Sequence, residues 1–170
     1  MLRLFTLLLG ASLIACGGCA SYKLGPTNGL TAGEKALQIH PFSNQTLEPR
    51  LGDALTTALR HETQRDATFR LATQGDGDII VTGTLTAFER HELSFVPKDV
   101  LTVSDFRITA TAQVTAREIR TGKVILDRTV KGSTLVRVGS DLTSAERQAL
   151  PLLAEDLAKN VISLLADGSW

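Results

Sequence analysis

The chain has 170 residues, 43% of them hydrophobic and 5% aromatic, and its 18 Lys and Arg balance 18 Asp and Glu. That length is one domain's worth, and a formal net charge of zero removes the general electrostatic reason to bind nucleic acid, which shows as a basic excess or stripe. Cys16 and Cys19 are the only cysteines, so the 151 residues after them must be stabilised by core packing and not by disulfides.

Met1-Leu2-Arg3 gives a short positive start, followed by an apolar run from Leu4 to Ala15 broken only by Thr6, Gly10 and Ser12. This is the layout of a secretory signal peptide. At about 12 residues the run is too short for the ~20 that cross a bilayer as a helix. It ends in Leu13-Ile14-Ala15-Cys16, which resembles the lipobox of bacterial lipoproteins. The resemblance implies that the Cys16 thiol takes a diacylglycerol, that the chain is cut before it, and that the new N-terminus is acylated. Three acyl chains exceed the two signals that stable anchoring needs. Cys19, with Gly18 before it but Cys16 at minus three, is the alternative lipidation site. The expected division is a signal peptide over 1–15, a lipidated tether and irregular lead-in over 16–35, and one α+β domain over 36–170. The mature 155 residues carry 17 basic and 18 acidic side chains.

Along the mature chain, Gly17 to Lys35 is rich in Gly, Ser, Thr and Asn and reads as the tether. Ala36 to Phe42 alternates, with Leu37 and Ile39 on one face, and predicts a strand ending near Pro41. Ser43-Asn44-Gln45-Thr46 is a turn. From Glu48 to about Gln64, Leu51, Leu55, Ala58 and Leu59 recur at helical spacing; Pro49 is tolerable in the first turn, and Gly52 permits close packing. Thr68 to Ala72 predicts a short strand, and Gly75-Asp76-Gly77 a hairpin turn. Asp78 to Arg90 predicts a long strand with Ile79, Val81, Gly83, Leu85 and Ala87 on one face and Ile80, Thr82, Thr84, Thr86 and Phe88 on the other. Gly83 marks a bulge or a close contact. His91 to Leu101 is expected to be a connection containing Pro97. Val103 to Arg120 is a second long strand, turned by Thr121-Gly122 into Lys123 to Leu135 as a hairpin. Thr143-Ser144-Ala145-Glu146 reads as a capping box ahead of a helix carrying Leu150, Leu153, Leu157, Val161, Ile162 and Leu165, which Pro151 should kink or split. The fold class expected is a two-layer α+β sandwich, two helices on one face of a four-stranded mixed or antiparallel sheet.

Chemistry-bearing constellations are sparse. His40, His61 and His91 fall on different elements, without His-x-x-His or Glu-x-x-His spacing. Gly75-Asp76-Gly77-Asp78 lacks the further ligands of a calcium loop, and no Gly-x-Ser-x-Gly elbow or Gly-rich phosphate cradle occurs. No nucleophile–base pair is in view, so no catalytic residue, metal or cofactor is expected. What remains is a set of Thr-rich strand faces accompanied by basic residues. Arg117, Arg120 and Lys123, at strand ends, are candidates to hold phosphate groups of a glycolipid.

Several stretches together resemble the LptE family of lipopolysaccharide-assembly lipoproteins. They are the lipobox with Tyr22-Lys23-Leu24-Gly25 nearby, the segment Ile39-His40-Pro41-Phe42-Ser43-Asn44-Gln45-Thr46-Leu47-Glu48-Pro49, the strand Asp78-Ile79-Ile80-Val81-Thr82-Gly83, the turn at Thr121-Gly122-Lys123-Val124, and the final helix with Trp170. The most specific is the Phe-x-Asn-x-Thr-x-Glu-Pro pattern from Phe42 to Pro49. Cys16 departs from the family by lying three residues further from Tyr22 than the usual Cys. The resemblance implies a non-enzymatic lipoprotein of the outer membrane, facing the periplasm, that plugs and helps to assemble an LptD-like β-barrel and touches lipopolysaccharide. Gly17 after the lipidated Cys fits export to the outer membrane, since no Asp is there to suggest retention. The competing expectation is another envelope lipoprotein, a cell-wall synthase activator or a secretion-channel subunit, which share a Phe-x-Asn turn before a helix. A channel subunit needs barrel-forming segments for which 155 residues leave little room. An envelope hydrolase is disfavoured by the missing nucleophile–base pair.

Overall fold

The computed structural model describes residues 31–96, 99–138 and 141–168. The signal peptide, Cys16, Cys19, Tyr22, Pro97 and Trp170 lie outside the described residues. In chain order the elements are β1 (Ala36–Ile39), β2 (Ser43–Asn44), α1 (Leu51–Asp66), β3 (Arg70–Ala72), β4 (Ile79–Val96), β5 (Asp99–Glu118), β6 (Val124–Arg137) and α2 (Leu142–Asp167). They form one mixed sheet in the order β3-β1-β4-β5-β6, with β2 pairing beside β4. β1 runs parallel to both β3 and β4, while β4, β5 and β6 form an antiparallel meander. The α+β class with two helices on one sheet face holds. The sheet has six strands where four were expected: the short strand expected at Thr68 to Ala72 joins it as β3, and β2, two residues long, is too short to show a period.

Pro41 accounts for the break between β1 and β2, since it has no N–H to give a ladder. The Gly75 loop is not a hairpin: it links β3 to β4, which lie on opposite sides of β1. The largest departure is in the segment from His91 to Leu101. It is not a connection, because β4 continues to Val96 and β5 starts at Asp99, making a hairpin with arms of 18 and 20 residues. Its polar and apolar residues do not alternate cleanly, as three register shifts interrupt the pairing between Glu92 and Val96.

A further bulge changes which residues meet the helices. Leu85 faces Ala112 and Ala87 faces Thr111, so Thr86 is the extra residue. Up to Leu85 the expected faces hold, with Ile79, Val81 and Leu85 buried. Beyond it they exchange. Ala87 turns to the open face, and Phe88 and Arg90 come round to the helix side, where the Arg90 guanidinium pairs with Glu146 of α2. Gly83 is a close contact and not the bulge: a Cβ there would lie 2.2 Å from the Phe42 ring.

The core lies between this face and the two helices. β5 contributes Ile108, Ala110, Ala112, Val114 and Ala116, all fully buried. Its three alanines keep the floor low under the helices. α1 adds Leu51, Leu55, Ala58 and Leu59, and α2 adds Leu153, Leu157, Val161, Ile162 and Leu165. Buried Thr56 and Thr63 return their hydroxyls to the carbonyls of Gly52 and Leu59, at 2.9 and 2.8 Å, so neither polar group is left unpaired.

α2 starts differently from the expected box. The cap is Asp141, whose carboxylate accepts from the Thr143 and Ser144 amides at 3.1 and 3.0 Å. Glu146 does not reach back to the helix start; it is held by Arg90. Pro151 does not split the helix, which runs unbroken from Leu142 to Asp167. α2 lies over β6 at Gly132, where a Cβ would come within 2.6 Å of the Leu157 amide nitrogen and Cβ. It also covers the edge strand: the Ser133 amide donates to Asp156 at 2.8 Å, and Asn160 donates to the Lys131 carbonyl at 2.9 Å.

Because the obstruction at Gly132 includes helix backbone, Gly132→Ala should lower stability by about 1–3 kcal/mol through overpacking. Urea unfolding followed by circular dichroism measures this, and an unchanged midpoint would show that α2 can lift away at no cost.

Candidate functional site

The residues that carried the family resemblance turn out to hold the fold together at its β2–α1 corner. The Phe42 ring covers Gly83, and the Phe42 amide points to the Thr56 hydroxyl at 3.4 Å. Asn44 Oδ1 accepts from the amide and the hydroxyl of Thr46, at 2.9 and 2.7 Å, while its Nδ2 donates to the Glu48 carbonyl at 2.8 Å. This is an Asx turn that delivers the chain into α1. Asp78 accepts from the Ala36 amide at 2.7 Å, fixing the start of β1 against β4.

The three histidines are dispersed and exposed. His40 lies 3.1 Å from the Gln38 amide, His91 lies 3.5 Å from Glu89 across the open face, and His61 sits on α1. Among the described residues no three His, Cys, Asp or Glu side chains come together as a metal site, and no helix is long and apolar enough to cross a membrane.

The side of the sheet away from the helices is open and polar. Down β5 it presents Arg107, Thr109, Thr111, Gln113, Thr115 and Arg117, opposed on β6 by Leu135, Ser133, Lys131, Thr129, Asp127 and Val124. Gln113 donates to Asp127 at 2.6 Å and accepts from Thr129 at 2.7 Å, so the middle of this face is already cross-linked.

At one end of that face the structure brings Arg117, Arg120 and Lys123 together on the β5–β6 turn. All three are exposed. Arg117 donates to the Gly122 carbonyl at 2.9 Å, and Gly122 takes a positive φ of 71° that closes the turn. Neighbouring Glu118 is bound by the Thr121 hydroxyl at 2.6 Å and by Lys35 at 2.9 Å. Those two partners, Thr121 first, hold its carboxyl below the ordinary carboxylate range. Two apolar residues flank the cations and were not singled out as site residues: Ile119 is 49% exposed and Val124 is 42% exposed. The run Ile119-Arg120-Thr121-Gly122-Lys123-Val124 carried that signal as alternating apolar and basic positions around a turn.

At the far end a second carboxylate acts as a brace. Asp105 accepts hydrogen bonds from Ser94, from Ser104 at 3.0 Å and from Arg137 at 3.1 Å, tying β4, β5 and β6 together. Leu93, Phe95 and Leu135 are exposed around it. The Ser94 hydroxyl and then Arg137 push the Asp105 carboxyl down, and Ser144 with the first backbone amides of α2 does the same for the Asp141 cap. Carboxyls depressed in the folded state give stability that is present above the unfolded value and lost as pH falls through the folded one. The thermal midpoint should therefore decline as pH drops below about 4. Asp105→Asn should start lower at neutral pH and decline less steeply in acid. Parallel acid profiles for the two proteins would show that Asp105 is not a contributor.

The family model described as LptE, Lipopolysaccharide-assembly, matches residues 34–165. No curated protein sequence matches the chain. Among solved structures, it resembles the hypothetical protein CT253 from Chlamydia trachomatis, with a TM-score of 0.59 at 12% identity over 82% of this chain and 98% of that one. It also resembles protein XCC0632 from Xanthomonas campestris, with a TM-score of 0.58 at 11% identity over 86% and 92% of the respective chains. At that identity the two structures speak for the fold alone. The family match spans every element from β1 to α2, and the chain belongs to the LptE family of lipopolysaccharide-assembly proteins.

Proposed function

We propose that this chain is a lipoprotein of the outer membrane that plugs, and helps to assemble, the LptD-like β-barrel delivering lipopolysaccharide to the outer leaflet. The observation that carries the reading is the family match across residues 34–165. The lipobox ending at Cys16 supplies the anchor, with Cys19 as the alternative, and the domain faces the periplasm. The chain acts by binding and not by catalysis. It touches lipopolysaccharide directly; Arg117, Arg120 and Lys123, exposed at one end of the open face, have the chemistry to hold a lipid phosphate. Its open sheet face is polar and uncovered by any described element, which suits a surface lining a wet interior.

The partner is tested by capturing the tagged full chain from detergent-solubilised envelopes and identifying what comes with it by mass spectrometry. One large outer-membrane barrel protein is expected. Recovery of a peptidoglycan synthase in its place would move the chain to the cell-wall reading. The anchor is tested separately by fractionation. Cys16→Ala should shift the chain out of the membrane fraction, while Cys19→Ala should leave it there; the reverse pattern would transfer the lipid to Cys19.

A further inference from the structure

The described chain enters the sheet at the same end of the molecule as the basic turn, and with a lipid anchor upstream this bears on which lipid the turn meets. The described chain begins at Thr31 and enters the sheet at β1, whose first residues pair beside Ile79 at the start of β4. Ile79 in turn faces Glu118 at the end of β5. Two contacts join the lead-in to the turn directly: Lys35 binds Glu118 at 2.9 Å, and the Ile119 amide donates to the Asp78 carbonyl at 2.9 Å. The β5–β6 turn therefore stands where the tether arrives. Phe95 and its partner Val103 stand toward the other end, about 50 Å away along the stretch of β5 from Val103 to Glu118.

Reversing that arrangement would need the tether fully extended. Fifteen residues lead from Cys16 to Thr31, and fully extended they reach about 50 Å. With Cys19 as the anchor the reach is shorter still. A domain standing with Phe95 in the bilayer would hold Thr31 about as far off as that limit, so only the orientation with the turn at the membrane leaves the tether slack. The turn carries the composition of an interfacial contact: exposed Ile119 and Val124 beside Arg117, Arg120 and Lys123. Its nearby acidic groups are already taken. Glu118 is held by Lys35 and Thr121, Asp76 by Arg70 at 3.4 Å, and Asp78 by the Ala36 amide. Arg120 and Lys123 are left facing outward, and Arg117, which also donates to the Gly122 carbonyl, is exposed beside them.

We propose that the β5–β6 turn is a second membrane contact, in which Arg117, Arg120 and Lys123 hold headgroup phosphates of the phospholipid leaflet that carries the anchor while Ile119 and Val124 enter its surface. The inference rests on the lipid-anchor reading. It assigns the phosphates to the bilayer, and not to a transported glycolipid.

The test places a photoreactive benzoylphenylalanine at Ile119 or, as the far-end control, at Phe95 in the full acylated chain. The protein is reconstituted in vesicles of phosphatidylethanolamine and phosphatidylglycerol, and flotation is recorded beside the crosslinks. Flotation with phospholipid adducts from position 119, several-fold above those from 95, is the expected result. Arg120→Glu combined with Lys123→Glu, or half-molar salt, should reduce the adducts while flotation persists, because such contacts are screened within a few ångströms. A chain that floats but labels lipid equally from both positions overturns the proposal alone. Adducts at 119 that form only after lipopolysaccharide is added overturn it in favour of the glycolipid. A chain that does not float overturns the anchor reading and this proposal with it.

Discussion

Helix α2 crosses β6 with nothing but a hydrogen atom between them at Gly132. Leu157 brings both its backbone and its Cβ against that point, and the helix can then set Leu153, Val161, Ile162 and Leu165 into the floor made by β5. The alanines at 110, 112 and 116 serve the same requirement one strand further in. A small-residue track under a long helix gives close packing over several turns, and close packing yields dispersion contacts that a looser stack forgoes. The cysteine-free domain depends on this interface, since it has no cross-link to fall back upon. Replacing Leu157 by Ala would remove a large side chain at the narrowest part of the interface, the kind of change that costs 2–5 kcal/mol.

How much of this was legible in the chain depends on the length of each pattern. The two helices announced themselves because leucines recur over several turns, and the main strands because Thr alternates with apolar residues for a dozen positions. The hairpin arms beyond Arg90 did not, because register shifts break the alternation between Glu92 and Val96 just where a period would be read. The bulge at Thr86 was silent for a similar reason. A Thr is as acceptable in an extra position as in a regular one, and only the partner strand reveals the count. Capping was misassigned because Asp141 and Thr143 are both good caps two residues apart; Arg90, 56 residues away, takes the glutamate that would have completed the other box.

The candidate site shows the opposite relation between specificity and role. The most specific family stretch, from Phe42 to Pro49, is occupied with its own backbone and with Gly83, and the side chains of Asn44 and Thr46 have internal partners. It identifies the fold. The basic turn contains no strong motif, yet there side chains of one sign face outward beside exposed apolar residues. Arg117, Arg120 and Lys123 could be proposed from sequence because a Thr-Gly turn brings neighbours together. Ile119 and Val124 could not be ranked until their exposure was visible, since an apolar residue next to a turn is as often buried as not.

The side chains of Asp156 and Asn160 occupy the Ser133 amide and the Lys131 carbonyl on the outer edge of β6. An unprotected edge strand of 14 residues is a template on which any extended chain can grow. One helical turn of α2 places an acceptor and a donor against the middle of that template and leaves no continuous row for a stranger to copy. For a protein proposed to live enclosed by β-strands, this means it can be gripped by its faces without being woven into the wall around it. The same two side chains would also keep neighbouring copies of the chain from zipping edge to edge.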